Sequence, residues 1–319
     1  MLAGVLFALA AGLMWGLIFV GPLLVPDYPG ALQSAGRYVA FGLIALPLAW
    51  LDRHRLRKLL SADWREALKL SLVGNLLYYT FLASAIQRTG APVSTMIIGT
   101  LPVVMAITAN LCYGHLEGRL AWRRLTPALL AIGAGLVCVN IAELRGQSGG
   151  WDMMRYLSGI ALAVLAVACW TWYPLRNARW LRTHPQHKPA TWATAQGIVT
   201  LPLALVMYAG VSAQLAWHSP SFALPFGPQP QLFLPLMLVI GLLCSWLGTL
   251  CWNAASQRLP TVFMGPLIVF ETLSGLLWTF LWRQSWPPLL TLTGIFCLIL
   301  GVLWAMRIKP EPLLTSIEH

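Results

Sequence analysis

Runs of about 20 apolar residues recur along nearly the whole chain, and they constrain the fold more than any single motif. At ~1.5 Å per residue, such a run crosses a hydrocarbon layer of ~30 Å as a helix. Ten are legible, at residues 3–21, 31–51, 67–87, 91–113, 124–142, 156–178, 190–211, 231–257, 260–283 and 287–307. Short connections such as 51–66 and 144–152 collect the Pro, Gly, Asp and Arg residues that interrupt apolar runs. Charged residues make up 10% of the 319, against about 25% in soluble domains, too few to coat a surface facing water. The chain reads as an all-α polytopic membrane protein of ten transmembrane helices, with the lipid bilayer as its solvent. Its formal charge of +11 then needs no nucleic acid to explain it.

The first run is kept as a helix rather than a cleaved signal, because residues 1–3 supply no basic n-region. Basic residues set the orientation. With the N-terminus inside, fifteen Lys and Arg fall in cytoplasmic segments, among them Arg53, Arg55, Arg57, Lys58, Arg123, Arg176 and Arg258. Four fall outside, namely Arg88, Arg145, Arg155 and Arg283. This places both termini in the cytoplasm of a cell whose inner membrane holds the protein.

The two halves of the chain resemble one another. At a shift of 155, Gly4, Ala8 and Trp15 fall on Gly159, Ala163 and Trp170, and Leu46-Pro47-Leu48-Ala49 falls on Leu201-Pro202-Leu203-Ala204. Past a longer loop at 212–230 the shift becomes 170, matching Ala85, Gln87 and Arg88 with Ala255, Gln257 and Arg258. Pro127 and Gly133 then match Pro288 and Gly294. Five spans per half is an odd number, so the second copy lies upside down. Inverted repeats of this kind let one half rock against the other about a midplane site. Residues 1–143 form the first repeat, 144–155 an extracytoplasmic linker, 156–307 the second repeat and 308–319 a cytoplasmic tail.

Trp15-Gly16, Arg37 early in the second span, Gln87-Arg88-Thr89-Gly90-Ala91 before Pro92, and Pro102 followed by Glu117 resemble the EamA repeat of the drug/metabolite transporter superfamily. The resemblance covers roughly residues 3–307 and, more narrowly, points to YddG-type exporters of aromatic and other amino acids. The second copy departs from the pattern, since no acid follows Pro266 as Glu117 follows Pro102. The resemblance implies that spans 1, 3, 4, 6, 8 and 9 line a cavity, that 2 and 7 pack outside them, and that 5 and 10 are peripheral.

Glu271 is the only acid deep within a span, where a carboxylate faces the protein interior or a watery cavity. Two readings are open: a proton-coupling or substrate-amine site, or a hydrogen-bonded tie between helices. Trp15 and Trp170, as repeat mates on predicted cavity helices, are candidate aromatic walls above and below a substrate. Adjacent Tyr78 and Tyr79 point ~100° apart on a helix, so one of them, Tyr78 by preference, faces the cavity squarely. Asn75, Tyr173, Trp246, Thr249 and Asn253 complete the candidate cavity set. Pro102, Pro174 and Pro266 are candidate hinges, because each removes a backbone hydrogen bond within a span.

All six Cys lie in apolar spans without CxxC spacing, and no His makes a ligand set, so neither a metal nor a cofactor is expected. No P-loop or GxSxG occurs either. The expectation is therefore a monomeric secondary transporter that exports neutral amino acids or similar small metabolites by alternating access, without ATP and without catalysis. A proton-coupled exporter of other metabolites is the alternative, and an intramembrane enzyme the remote one.

Overall fold

The computed structural model describes residues 2–89, 94, 97–113, 120–144, 153–284 and 286–308. Glu117, most of the 144–155 linker and the tail beyond Ile308 lie outside them, as does part of the expected fourth span. Among the described residues every regular element is helical. The principal helices are α1 (Leu2–Trp15), α2 (Gly30–Leu51), α3 (Ser61–Ser71), α4 (Tyr78–Thr89), α5 (Leu101–Cys112), α6 (Trp122–Leu144) and α7 (Met153–Thr183). They continue with α8 (Pro189–His218), α9 (Pro230–Ile240), α10 (Gly248–Ser256), α11 (Met264–Arg283) and α12 (Leu289–Arg307).

Seven stretches among the described residues are long and apolar enough to cross a membrane: Leu2–Phe19, Gly30–Leu51, Met153–Thr183, Pro189–His218, Pro230–Ser256, Met264–Trp282 and Leu289–Arg307. The expected third, fourth and fifth spans are not among them, and α5 is a shorter apolar helix. The outward faces are greasy. Val206 is 74% exposed, Leu130 67% and Phe296 62%, a surface that lipid covers and water does not.

Local chemistry sets the helix ends. Pro189 and Pro230 open α8 and α9, where a missing N–H costs nothing and the ring fixes a helical φ. The connection expected over residues 51–66 is corrected: helix begins at Ser61, because the Asp63 carboxylate accepts the Leu60 N–H at 2.8 Å and caps the first turn. Gln284, at φ 48°, ends α11 in the left-handed conformation.

Two π-helical segments interrupt the bundle, Leu72–Leu77 between α3 and α4 and Gly241–Leu247 between α9 and α10. Apolar periodicity gives no sign of either. The helices pack as α6 on α12, α2 on α8, α4 on α7, α1 on both α10 and α11, and α5 on both α7 and α11.

Candidate functional site

Aromatic rings from four helices meet in the interior. Tyr78 of α4 stacks on Trp170 of α7 at 4.5 Å between centroids, and Trp170 stacks on Tyr173 at 5.4 Å. The Trp15 indole of α1 meets Trp170 edge-on at 5.4 Å and Trp252 of α10 at 5.2 Å. Trp15 and Trp170 thus touch, whereas the sequence suggested walls above and below a substrate.

The π-helical segments explain how the rings approach so closely. Trp15 Nε1 donates to the Cys244 carbonyl at 2.7 Å, within the second π-helical segment, whose wide turn presents that oxygen to a neighbour. The indole reaches it because residue 248 is Gly; a Cβ there would stand 2.7 Å from Trp15 Nε1. In the first π-helical segment a Cβ at Gly74 would stand 2.2 Å from the Tyr173 ring, so glycine sets that approach as well.

Two buried ionisable groups flank the aromatic cluster. Arg37 of α2 is 5% exposed; its Nε donates to Ser245 Oγ at 3.0 Å, and its guanidinium lies 5.0 Å from the Tyr38 ring and 5.1 Å from that of Tyr79. Glu271 of α11 is 4% exposed, beside the Trp170 indole and within electrostatic reach of Arg37. The two form no ion pair, having no N···O distance of 4.0 Å or less. Among the described residues Arg37 Nη1, Glu271 Oε2, Tyr78 Oη and Ser274 Oγ have no hydrogen-bond partner, and the Trp170 indole N–H has none but the Glu271 carboxyl beside it. Burying such groups unpaired is costly, and their gathering beside the aromatic cluster makes this the candidate site.

The sequence candidates divide into two sets. Trp15, Tyr78, Trp170, Tyr173 and Glu271 come together, and Tyr79 joins through Arg37. Thr249 lies beside the Tyr173 hydroxyl. Asn75, Trp246 and Asn253 are engaged elsewhere. Asn75 Nδ2 donates to Thr200 Oγ1 at 3.4 Å, and Trp246 Nε1 to Thr194 Oγ1 at 3.1 Å. Asn253 belongs to an amide network centred on Asn177, whose Nδ2 donates to Asn253 Oδ1 at 2.7 Å while its Oδ1 accepts from Trp192 Nε1 at 2.8 Å and Gln196 Nε2 at 3.1 Å. Pro102 and Pro266 stand in the first turns of α5 and α11, a position that starts helices, while Pro174 lies inside α7.

Arg37 and Trp252 were not among the cavity residues expected from sequence. A basic residue early in an apolar run was the signal available at Arg37. Beyond the helix ends, the Glu66 carboxylate takes a two-pronged hydrogen bond from Arg176, and Asp63 stands 4.0 Å from His187. Burial lowers the His187 pKa below its ordinary value of 6.5; Asp63 opposes that shift and His184 adds to it.

The EamA-like transporter family model matches residues 2–140. The chain is 62% identical over 316 residues to inner membrane protein YtfF of Escherichia coli strain K12, covering 99% of this chain and 98% of that protein. A crystal structure 15% identical superposes with a TM-score of 0.71, covering 95% of this chain and 96% of the other, a likeness of fold alone. With a relative this close along its full length and the family's model on its first half, the chain belongs to the EamA-like transporter family.

Proposed function

We propose that the protein is a secondary transporter of the inner membrane that exports neutral amino acids, aromatic ones included, by alternating access between two inverted five-helix repeats. The aromatic cluster around Trp15, Tyr78 and Trp170, with its unpartnered polar atoms, carries the reading. Flat apolar faces beside a few free hydrogen-bonding groups suit small molecules that are part greasy and part polar, and they hold a range of side chains without a tight fit.

The packing supports a two-fold relation between the halves. Exchanging each span for its mate turns the α4–α7 contact into the α10–α1 contact, and the α1–α11 contact into the α7–α5 contact; all four occur. Gly4 packs on Arg258 and Leu259, and its mate Gly159 packs on Arg88 and Thr89. At the shift of 170, the first π-helical segment falls on the second. The expected cytoplasmic placement of both termini agrees with this scheme. Two such halves rock between inward-open and outward-open states of similar energy.

Uptake and efflux of labelled amino acids, nucleosides and organic amines by liposomes holding the purified protein test the proposal, with and without an imposed pH gradient. Movement of neutral amino acids in both directions is expected, independent of the pH gradient. If amines move against a proton gradient while amino acids do not, the proton-coupled metabolite exporter replaces this reading.

A further inference from the structure

Arg37 and Glu271 bring a guanidinium and a carboxyl group to one buried place without forming an ion pair, and the function proposed above gives neither a role of its own. Each arrives on a different helix, and each keeps an atom without a hydrogen-bond partner among the described residues, Nη1 on one and Oε2 on the other. Neither reaches water to any extent, at 5% and 4% exposure. A guanidinium stays charged in any protein environment, so Arg37 cannot escape its burial by losing a proton. A buried carboxyl can shed its desolvation cost by holding a proton, whereas the guanidinium keeps its charge and needs an anionic partner that the fold does not place against it. Tyr78, with its own free hydroxyl, lies within electrostatic reach of both groups. Its ring is stacked on Trp170, beside the carboxylate.

We infer that Arg37 and Glu271 are the two poles of a zwitterion clamp: Arg37 Nη1 donates to the α-carboxylate of the substrate, Glu271 Oε2 accepts from its α-ammonium, and the substrate side chain lies against Trp15 and Trp170. The inference rests on the amino acid reading above and narrows it to α-amino acids with uncharged side chains. The anchoring of each pole agrees. Arg37 is held by Ser245 through Nε and by the faces of Tyr38 and Tyr79, so its remaining donors are aimed and not floppy. The Glu271 backbone is fixed against Gly12 of α1, where a Cβ would stand 3.1 Å from the Glu271 nitrogen. A site holding one positive and one negative group is neutral overall and matches a net-neutral guest. An amine lacking the carboxylate leaves Arg37 unpaired, and an acid lacking the ammonium leaves Glu271 unpaired. Discrimination thus comes as much from the penalty on wrong guests as from contacts with the right one.

Three probes that share one ring separate the poles: phenylalanine, phenethylamine without the carboxylate, and 3-phenylpropanoate without the ammonium. Each is tested as a competitor of labelled phenylalanine transport in proteoliposomes, and as a thermal stabiliser of the purified wild-type protein. In the wild type the two truncated probes should compete at least about tenfold more weakly than phenylalanine. Arg37→Gln should raise the phenylalanine KM and erase the disadvantage of phenethylamine alone; Glu271→Gln should do the same for 3-phenylpropanoate alone. Equal competition by all three probes in the wild type overturns the clamp while leaving the exporter intact, as does unchanged discrimination in both variants. Transport of amines or nucleosides but of no amino acid overturns the exporter reading and the clamp together. Should either variant fail to fold, the order of stabilisation of the wild type by the three probes decides, and equal or absent stabilisation by all three rejects the clamp.

Discussion

Adding one methyl group at Gly159 should push the protein towards the state open to the outside, and adding one at its mate Gly4 should push it the other way. A Cβ at position 159 would stand 2.3 Å from Thr89 Cγ2 and 2.9 Å from Arg88 Cβ. Carbon atoms settle at about 3.5–4.0 Å, so the start of α7 and the end of α4 must part by ~1 Å. Thr89 cannot swing its methyl aside freely: its hydroxyl bonds the Ala85 carbonyl at 3.1 Å and Ser94 Oγ at 2.9 Å, which holds its rotamer. Overpacking of this kind costs about 1–3 kcal/mol. In a transporter that rocks, the cost falls only on the state in which these ends are closed, and it moves the open–closed equilibrium by about 5–150-fold. Gly4→Ala meets Leu259 Cγ at 2.8 Å and Arg258 Cβ at 3.0 Å, a similar strain at the opposite end of the bundle. Cys244 is a native reporter, fully buried with its thiol donating to the Met14 carbonyl, and the other five cysteines can be replaced by serine. A membrane-impermeant maleimide added outside oriented vesicles should label Cys244 faster in Gly159→Ala than in the parent, and slower in Gly4→Ala. Changes of the same sign in the two variants, or labelling unaltered in both, would refute the reasoning.

Asn177→Leu leaves Trp192 Nε1, Gln196 Nε2 and Asn253 Oδ1 without their partner, at about 1–3 kcal/mol each, so thermal unfolding in detergent should show one of the largest losses for a single substitution away from the aromatic cluster. A shift no larger than that of exposed Thr126→Ala would show that these groups find other partners. Tyr78→Phe should change stability by less than about 0.5 kcal/mol, since the hydroxyl makes no bond in the protein, whereas Tyr78→Ala should lose about 3–5 kcal/mol with the ring's stacking on Trp170. Equal losses in the two, read from melting curves, would place a bonded partner on that hydroxyl. Burial lowers the pKa of His187 in the folded protein, so the unfolded chain binds the proton more readily; the stability it contributes is complete above 6.5 and is lost as the pH falls through the folded value. His187→Asn should therefore flatten the decline of the melting temperature between about pH 8 and pH 5, and parallel slopes would assign that decline to other groups.

Hydropathy made the helical class legible because lipid leaves so few alternatives, and seven of the ten expected spans meet long apolar helices among the described residues. It blurred where charge and burial combine. Ser61–Ser71 carries Asp63, Arg65, Glu66 and Lys69, so as an apolar run it vanishes, yet as a capped helix it leads directly into the π-helical segment beneath Tyr78. The π-helical segments were illegible for a related reason: they change which backbone oxygen is free without changing which residues are apolar. Trp15 and Trp170 stood out because matching stretches in the two halves of the sequence pair them, but that match could not say that Gly248 stands where Tyr78 has its ring, a difference that lets one indole reach a backbone carbonyl while the other stacks.

Arg37 was hardest to place, since an arginine near a span end ordinarily extends its side chain to the interface. Here Ser245 and the rings of Tyr38 and Tyr79 turn it inward, and those partners come from α2, α4 and the second π-helical segment, parts of the chain that no spacing rule connects. A sequence displays the cost of a charge in the membrane, one residue at a time. Whether two such groups answer one another depends on distances between helices, and Arg37 and Glu271 stand too far apart for an ion pair, which is the ground for proposing them as the two ends of a site.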